Sequence, residues 1–150
     1  MATTSGVYPC YENQFKVNTA SSGEATFKAI ADCESYSVSF DNGVEEWRPF
    51  EHEGWARRLL TGKGVTVTVT GKRNVGDDGN DFIAGLAWKN GRDAEADFQW
   101  TFPDGTVVTF ADAVVNVTNI GAGDSTNVAP LEFEVQSNGK PTVTPAGNGG

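Results

Sequence analysis

The sequence predicts a mainly β protein, in which two packed antiparallel sheets form a β-sandwich and one short α-helix flanks them. Two observations lead to this fold class. Apolar and polar residues alternate with a period of two in several short segments, whereas only one segment has the helical spacing of apolar residues. The 18 glycines provide frequent turns, and 150 residues are enough for one domain with its own core.

The N-terminal part is predicted to contain an arm followed by a strand. Residues 1–24 show no steady period, so we expect an arm that is ordered by a neighbouring molecule. Its candidate contacts are the aromatic residues Tyr8, Tyr11 and Phe15. From residue 27 to residue 41 the chain alternates, which predicts a strand with one wet face. The apolar face holds Tyr36, Val38 and Phe40, and the polar face holds Ser35, Ser37 and Ser39.

The clearest strand signal is the run 65–70, in which valine and threonine alternate. Because β-branched residues suit a pleated surface, we expect valine to face the core and threonine the solvent. Between this strand and the preceding one lies a loop, residues 42–62, that is far longer than a hairpin turn requires. Its aromatic and basic residues include Trp47, Arg48, Phe50, Trp55, Arg57 and Arg58.

One helix and the remaining strands are predicted in the second half. Residues 77–81 are rich in carboxylates that suit a helix start, and residues 82–89 carry an apolar stripe before the stop signal Asn90-Gly91. Alternation then predicts strands at 95–102, 106–110, 114–119 and 131–136. The sandwich domain is assigned to residues 25–138. Residues 139–150 are rich in Gly, Pro, Thr and Asn, and we expect a flexible C-terminal tail.

No residue pattern marks a catalytic or metal site, so neither an enzyme nor a cofactor is expected. His52 is the single histidine and lies in a polar loop. Cys10 and Cys33 lack the spacing of metal ligands and are expected to be free thiols in a reducing compartment. No apolar run is long enough for a membrane span, and residues 1–6 have no features of a secretion signal, so we expect a soluble protein.

The distribution of charge limits the partners. The chain has 20 acidic and 11 basic residues and a formal charge of -9, which argues against a protein that grips DNA phosphates. Residues 93–139 contain eight carboxylates and no Lys or Arg. This stretch is either an acidic surface that keeps the protein soluble or a wall that repels a polyanion. Five basic residues lie in or beside the long loop, so loop and acidic strands could meet between copies.

Four segments together resemble the major tail tube proteins of long-tailed bacteriophages. They are residues 59–73 (LLTGKGVTVTVTGKR), 79–87 (GNDFIAGLA), 100–106 (WTFPDGT) and 123–133 (GDSTNVAPLEF). Members of that family fold as a β-sandwich with one helix, form hexameric rings and stack these rings into a hollow tube. The resemblance therefore implies a structural virion protein of the phage tail, whose tube delivers DNA into the host.

The resemblance also implies roles for surface residues. Strands of the family join around each ring and line the lumen, and the candidates here are Glu95, Asp97, Glu132, Glu134, Ser37, Ser39, Thr66 and Thr68. The serine and threonine faces compete for this role. The six aromatic and basic residues of the loop 42–62 are candidates for contacts with the adjacent ring, and the aromatic residues of the arm for further contacts in stacking.

The same resemblance implies a set of partners. They are further copies of the chain, a tape-measure protein during assembly in the host cytoplasm, and distal tail and tail terminator proteins at the tube ends. DNA is expected to pass without sequence-specific binding.

A different class of function fits the same residues. A monomeric β-sandwich module could use exposed tryptophans to recognise glycans or peptides. This alternative predicts a monomer with affinity for sugars, whereas the tube subunit predicts stacked rings. A small acidic hydrolase would need a carboxylate pair that the sequence does not mark.

Overall fold

The computed structural model describes residues 6–20 and 23–146, and these form two antiparallel sheets and one short α-helix. The strands are β1 (Gln14–Asn18), β2 (Phe27–Ala29), β3 (Cys33–Phe40), β4 (Gly43–Trp47), β5 (Arg57–Gly62), β6 (Val65–Lys72), β7 (Glu95–Thr101), β8 (Val107–Asn119), β9 (Pro130–Gln136) and β10 (Thr142–Thr144). The helix α1 spans Asp78–Gly85, and short 3-10 helices span Cys10–Glu12, Phe50–His52, Leu86–Trp88 and Gly91–Ala94. The predicted mainly β class with one short helix is confirmed.

Most strands belong to one sheet with the order β2-β1-β7-β8-β9-β6-β3, and β10 pairs with the first part of β8. The sheet folds over across β8, so its two ends meet: the rings of Phe15 on β1 and Tyr36 on β3 have centroids 5.0 Å apart. Phe98 on β7 and Phe133 on β9 also meet, at 6.5 Å. The core lies between the two halves of this sheet. The layers of the sandwich are thus halves of one sheet, and the second sheet is the separate hairpin β4–β5.

A kink in β8 accompanies the fold-over. Phe110 is buried before the kink and Ala113 after it, so the inward alternation shifts by one residue. At the kink, Asp112 has a left-handed φ of 51°, and its N–H donates to the carboxylate of Asp97 at 2.9 Å. The segments 106–110 and 114–119, which the sequence predicts as separate strands, are therefore parts of one bent strand.

Helix α1 packs against β1 and β2 and is anchored by Asp77 and Asn80. The carboxylate of Asp77 caps the helix by accepting the N–H of Asn80 at 3.0 Å, and it also accepts the N–H of Ala31 at 3.1 Å. The fully buried amide of Asn80 donates to the carbonyl oxygens of Ala31 and Lys72 and accepts the N–H of Asn74. These bonds join the helix to the β2–β3 turn and to the end of β6.

The carboxylates predicted to start the helix do so, but the helix is shifted toward the N-terminus. With its cap at Asp77, α1 ends at Gly85, and residues 86–88 tighten into a 3-10 turn, instead of the predicted helix over 82–89. Arg73 donates to Asp81 at 2.8 Å, and this hydrogen bond lowers the pKa of the Asp81 carboxyl below its usual range. The ion pair fastens the first turn of the helix to the chain that follows β6.

Three other segments differ from the sequence prediction. Phe15, assigned to the arm, is buried in the core because β1 pairs with β7, and its ring stacks on Trp100 at 6.5 Å. The predicted strand 27–41 is divided into β2 and β3 by a turn in which Asp32 has a left-handed φ of 61°. Residues 142–144, assigned to the flexible tail, form β10 on the sheet.

Candidate assembly surfaces

One half of the large sheet forms a layer of four strands, β8-β9-β6-β3, with one apolar and one polar face. The valines of β6 point into the core, and its threonines point outward, as predicted. Outward side chains align across the strands in rows. One row contains Asn116, Glu134, Thr68 and Ser37, a second contains Gln136, Thr66 and Ser39, and a third contains Glu132, Thr70 and Ser35. The serines of β3 and the threonines of β6, which were alternative candidates for lining a lumen, therefore lie on one continuous face.

The carboxylates of Glu132 and Glu134 lie in the middle of this polar face. Glu134 accepts hydrogen bonds from the amides of Gln136 at 3.2 Å and Asn116 at 3.5 Å. Within the described ranges, neither glutamate forms an ion pair with a lysine or an arginine. The face therefore presents negative charge that no neighbouring cation of the same copy neutralises.

The other two acidic candidates, Glu95 and Asp97, lie at different places on β7. Glu95 pairs with Val114, which in turn pairs with Gln136, so Glu95 extends the second row at the margin of the polar face. Asp97 instead lies at the bulge opposite the kink of β8, where it accepts the N–H of Asp112 and the amide of Asn18. Its contacts stabilise the bend, a role that no local sequence pattern could indicate because its partners are distant in the chain.

Among residues 6–20 and 23–146, no strand pairs with either edge of the four-stranded layer. β3 pairs there with β6 alone. β8 pairs with β7 only as far as Val114, so residues 115–119 pair with β9 alone. In the described part of the chain, no backbone hydrogen bond from a turn or loop covers either edge. Unpaired edges of this kind recruit further strands.

The segment 42–62, predicted as a long loop, is a hairpin that prolongs β3 and β6 beyond the sheet. β4 follows β3 directly, β5 leads directly into β6, and Gly43 faces Gly62 where the hairpin leaves the sheet. The hairpin exposes six large apolar side chains. They are Val44, Trp47, Phe50, Trp55, Leu59 and Leu60. A two-stranded hairpin without a buried face is marginally stable alone, so this surface is suited to burial against another molecule.

The arginines of the hairpin are largely engaged within it. Arg48 and Arg58 both pair with Glu46, at 3.1 and 3.0 Å, and Arg57 lies over the ring of Trp47 at 5.6 Å. The segment 42–62 also contains four glutamates against three arginines. The hairpin is thus an apolar surface with internally paired charges, not the basic surface that the count of Lys and Arg suggested.

The predicted arm keeps two of its three aromatic candidates at the surface. Tyr8 and Tyr11 are exposed and flank Cys10, whose thiol is also exposed and free. The second free thiol, Cys33, is partly buried at the start of β3. Burial, together with the charges of Asp32 and Asp77, raises the pKa of Cys33 to about 12.

No metal-binding cluster is present in the part of the chain that the structure describes. There, no group of three His, Cys, Asp or Glu side chains is placed to hold a metal ion. His52 lies in the exposed 3-10 helix at the tip of the hairpin. No helix among these residues is long and apolar enough to cross a membrane.

The fold belongs to the class found in tails and tubes of phage-like particles. Neither a protein-family model nor a curated protein sequence matches the chain. Among solved structures, the chain is similar to a chain in the tail of an empty gene transfer agent particle refined with C6 symmetry. The TM-score is 0.69, and the sequence identity is 21% over 92% of this chain and 99% of that one.

Two further structures have the same fold at lower identity. One is a chain in the tube-terminating cap of the anti-feeding prophage, with a TM-score of 0.62 and 14% identity over 97% of this chain and 96% of that one. The other is a chain in the extended sheath–tube complex of an extracellular contractile injection system, with a TM-score of 0.59 and 12% identity over 92% and 91%. The resemblance inferred from the sequence is confirmed at the level of the fold.

Proposed function

We infer that this protein is a subunit of a phage-type tail tube, in which six copies form a ring and the rings stack into a hollow conduit for DNA. The observation that carries this proposal is the four-stranded layer β8-β9-β6-β3, which is unpaired at both edges within the described residues and carries Glu132 and Glu134 on its outer face. A layer with two free edges can continue into identical layers on either side. Its polar face would then line the inside of the ring.

The strand directions are compatible with such a ring. All pairs within the layer are antiparallel, so β3 at one edge runs opposite to β8 at the other. Rotation about a ring axis keeps these directions, and β3 of one copy would therefore lie antiparallel to residues 115–119 of the next. Closing the sheet in this way removes both exposed edges, which otherwise favour uncontrolled association.

The dimensions of the closed sheet suit passage of DNA. Six copies of four strands, spaced about 4.8 Å apart and tilted by about 40°, form a barrel roughly 48 Å across, and side chains leave roughly 38 Å. Glu132 and Glu134 would line this space together with the serines and threonines of their rows. Since DNA carries about one charge per 1.7 Å, a wall that carries these glutamates repels it and opposes adhesion. The single lysine of β6, Lys72, is paired with Glu34.

Stacking of rings would bury the exposed parts of the hairpin β4–β5. Trp47, Phe50 and Trp55 are large aromatic residues of the kind that dominate the energetics of protein interfaces. Tyr8 and Tyr11 offer a second apolar contact at the N-terminal side of the molecule. The six-fold tail and the tube-terminating cap among the structural neighbours support this arrangement and a place in the virion tail.

Further partners follow from the same proposal. Terminator and distal tail proteins would bind the two ends of the tube, and a tape-measure protein would occupy the lumen during assembly in the host cytoplasm. An enzymatic role is not proposed.

Electron microscopy of the concentrated, purified protein tests the proposal. We expect rings of six subunits and tubes of stacked rings. A protein that remains monomeric at high concentration, with tail terminator or initiator proteins added, would overturn it. If that monomer binds immobilised glycans through Trp47 or Trp55, the alternative of a sugar-binding module is supported instead.

A further inference from the structure

Two surface features flank the free edges of the four-stranded layer. Beside β8, the loop 86–92 carries Trp88, which is 82% exposed. Beside β3, a cleft of about 640 Å³ opens between β1 and β3. We propose that Trp88 of one copy inserts into the β1–β3 cleft of the next copy in the ring. This proposal rests on the proposed function and specifies the lateral contact that the ring requires.

The backbone around Trp88 is fixed by a buried neighbour and a hydrogen bond, but the indole contacts no aromatic ring and forms no hydrogen bond in the described residues. Leu86, two residues before Trp88, is buried, and its carbonyl oxygen accepts the N–H of Lys89 at 3.1 Å. The indole of Trp88 makes no ring contact and no hydrogen bond within residues 6–20 and 23–146. In the same ranges, neither Lys89 nor Arg92 forms an ion pair. The loop thus presents an aromatic ring and two unpaired cations.

The cleft offers the complementary surface. Its floor is formed by Phe15, Ile30 and Tyr36, which are apolar and mostly buried. The carboxylates of Asp32 and Glu34 stand at its wall. Glu34 is already paired with Lys72 at 2.9 Å, whereas Asp32 forms no ion pair within residues 6–20 and 23–146. An aromatic side chain buries about 150–250 Å² when it enters such a pocket. The cations beside Trp88 would meet negative charge there, which favours the correct partner over a like-charged surface.

The position of the two features fits the pairing proposed for the ring. The groove beside the loop is lined by the inward residues Val115 and Val117 of β8, and the cleft by the inward residues Tyr36 and Val38 of β3. Ser35 and Ser37 of the polar face also line the cleft, and Asn116 and Gln136 line the groove, so both features open at the free edges of the layer and reach its core side. When β3 of one copy pairs with β8 of the next, the loop of one copy and the cleft of the other come together. Such a head-to-tail contact closes into a ring when the rotation between successive copies divides a full turn.

A disulfide crosslink tests this contact directly, because exposed Cys10 lines the cleft. Asn90→Cys places a thiol in the loop and retains Trp88, Lys89 and Arg92. We expect oxidation of assembled protein to give a ladder of covalent species that ends at the hexamer. Cys33 should not compete, because its pKa of about 12 keeps the thiol protonated near neutral pH.

Matched controls identify the thiols that react. Asn90→Cys combined with Cys10→Ser should give no ladder. Val75→Cys introduces a thiol at a position that is 81% exposed but lies outside the loop and the cleft, and it should give no ladder either. Tubes of the Asn90→Cys variant that form but do not crosslink through Cys10 would overturn the proposal.

Removal of the side chain gives a second measurement. Trp88→Ala should raise the protein concentration needed for assembly at least tenfold, and Trp88→Phe should restore part of the loss, while the thermal unfolding of both monomers stays unchanged. Assembly of Trp88→Ala at the wild-type concentration would overturn the contact and leave the tube subunit standing. Failure of the wild-type protein to assemble would instead overturn the proposed function.

Discussion

At the residue scale, Gly79 stands where α1 passes closest to the main chain of β2. A Cβ added at Gly79 would collide with the carbonyl oxygen of Ala29, so a side chain there requires movement of the helix or the strand. We expect Gly79→Ala to lower the free energy of unfolding by about 1–3 kcal/mol. Gly85 in the same helix has open space around it, and Gly85→Ala should leave stability unchanged or raise it by up to about 1 kcal/mol. Denaturant unfolding of the two monomers measures the difference, and equal stabilities would contradict the close approach.

At the element scale, alternation predicted the strands that have one buried and one wet face. Val67 and Val69 face the core while their neighbours Thr66 and Thr68 face outward. The burial of one face thus accounts for the two-residue alternation of apolar and polar residues in the sequence. The bent strand β8 escaped prediction because its change of phase depends on Asp97, a residue distant in the chain. The hairpin escaped prediction because both of its faces are exposed in one copy, so no alternation between buried and wet positions marks its strands. A hairpin that is exposed on both faces lacks the local signal that a core imposes.

The hairpin β4–β5 provides the prediction at this scale. Trp55→Ala and Phe50→Ala remove exposed apolar side chains at its tip, so the monomer should unfold at the wild-type temperature. If the hairpin joins adjacent rings, both variants should form single rings but few or short tubes in electron micrographs. Val143→Ala, an exposed residue of β10 outside the hairpin, is the matched control and should give long tubes. Normal stacking of both tip variants would exclude the hairpin from the contact between rings.

At the scale of the whole molecule, the formal charge of -9 would be multiplied in the proposed ring, and the acidic rows concentrate part of it on one surface. Apolar contacts would have to offset this repulsion, because the arginines of the hairpin are paired internally. If the polar face lines the lumen, Glu132→Lys with Glu134→Lys should convert a repelling wall into an adhesive one. Tubes of this variant should then retain short duplex DNA on sedimentation, in a manner that weakens with added salt, and virions carrying it should eject DNA more slowly. Glu24→Lys with Asp124→Lys makes the same change of charge at exposed loop positions outside the strands of the layer, and should leave retention and ejection at wild-type levels. Equal behaviour of the two double variants would place Glu132 and Glu134 outside the lumen.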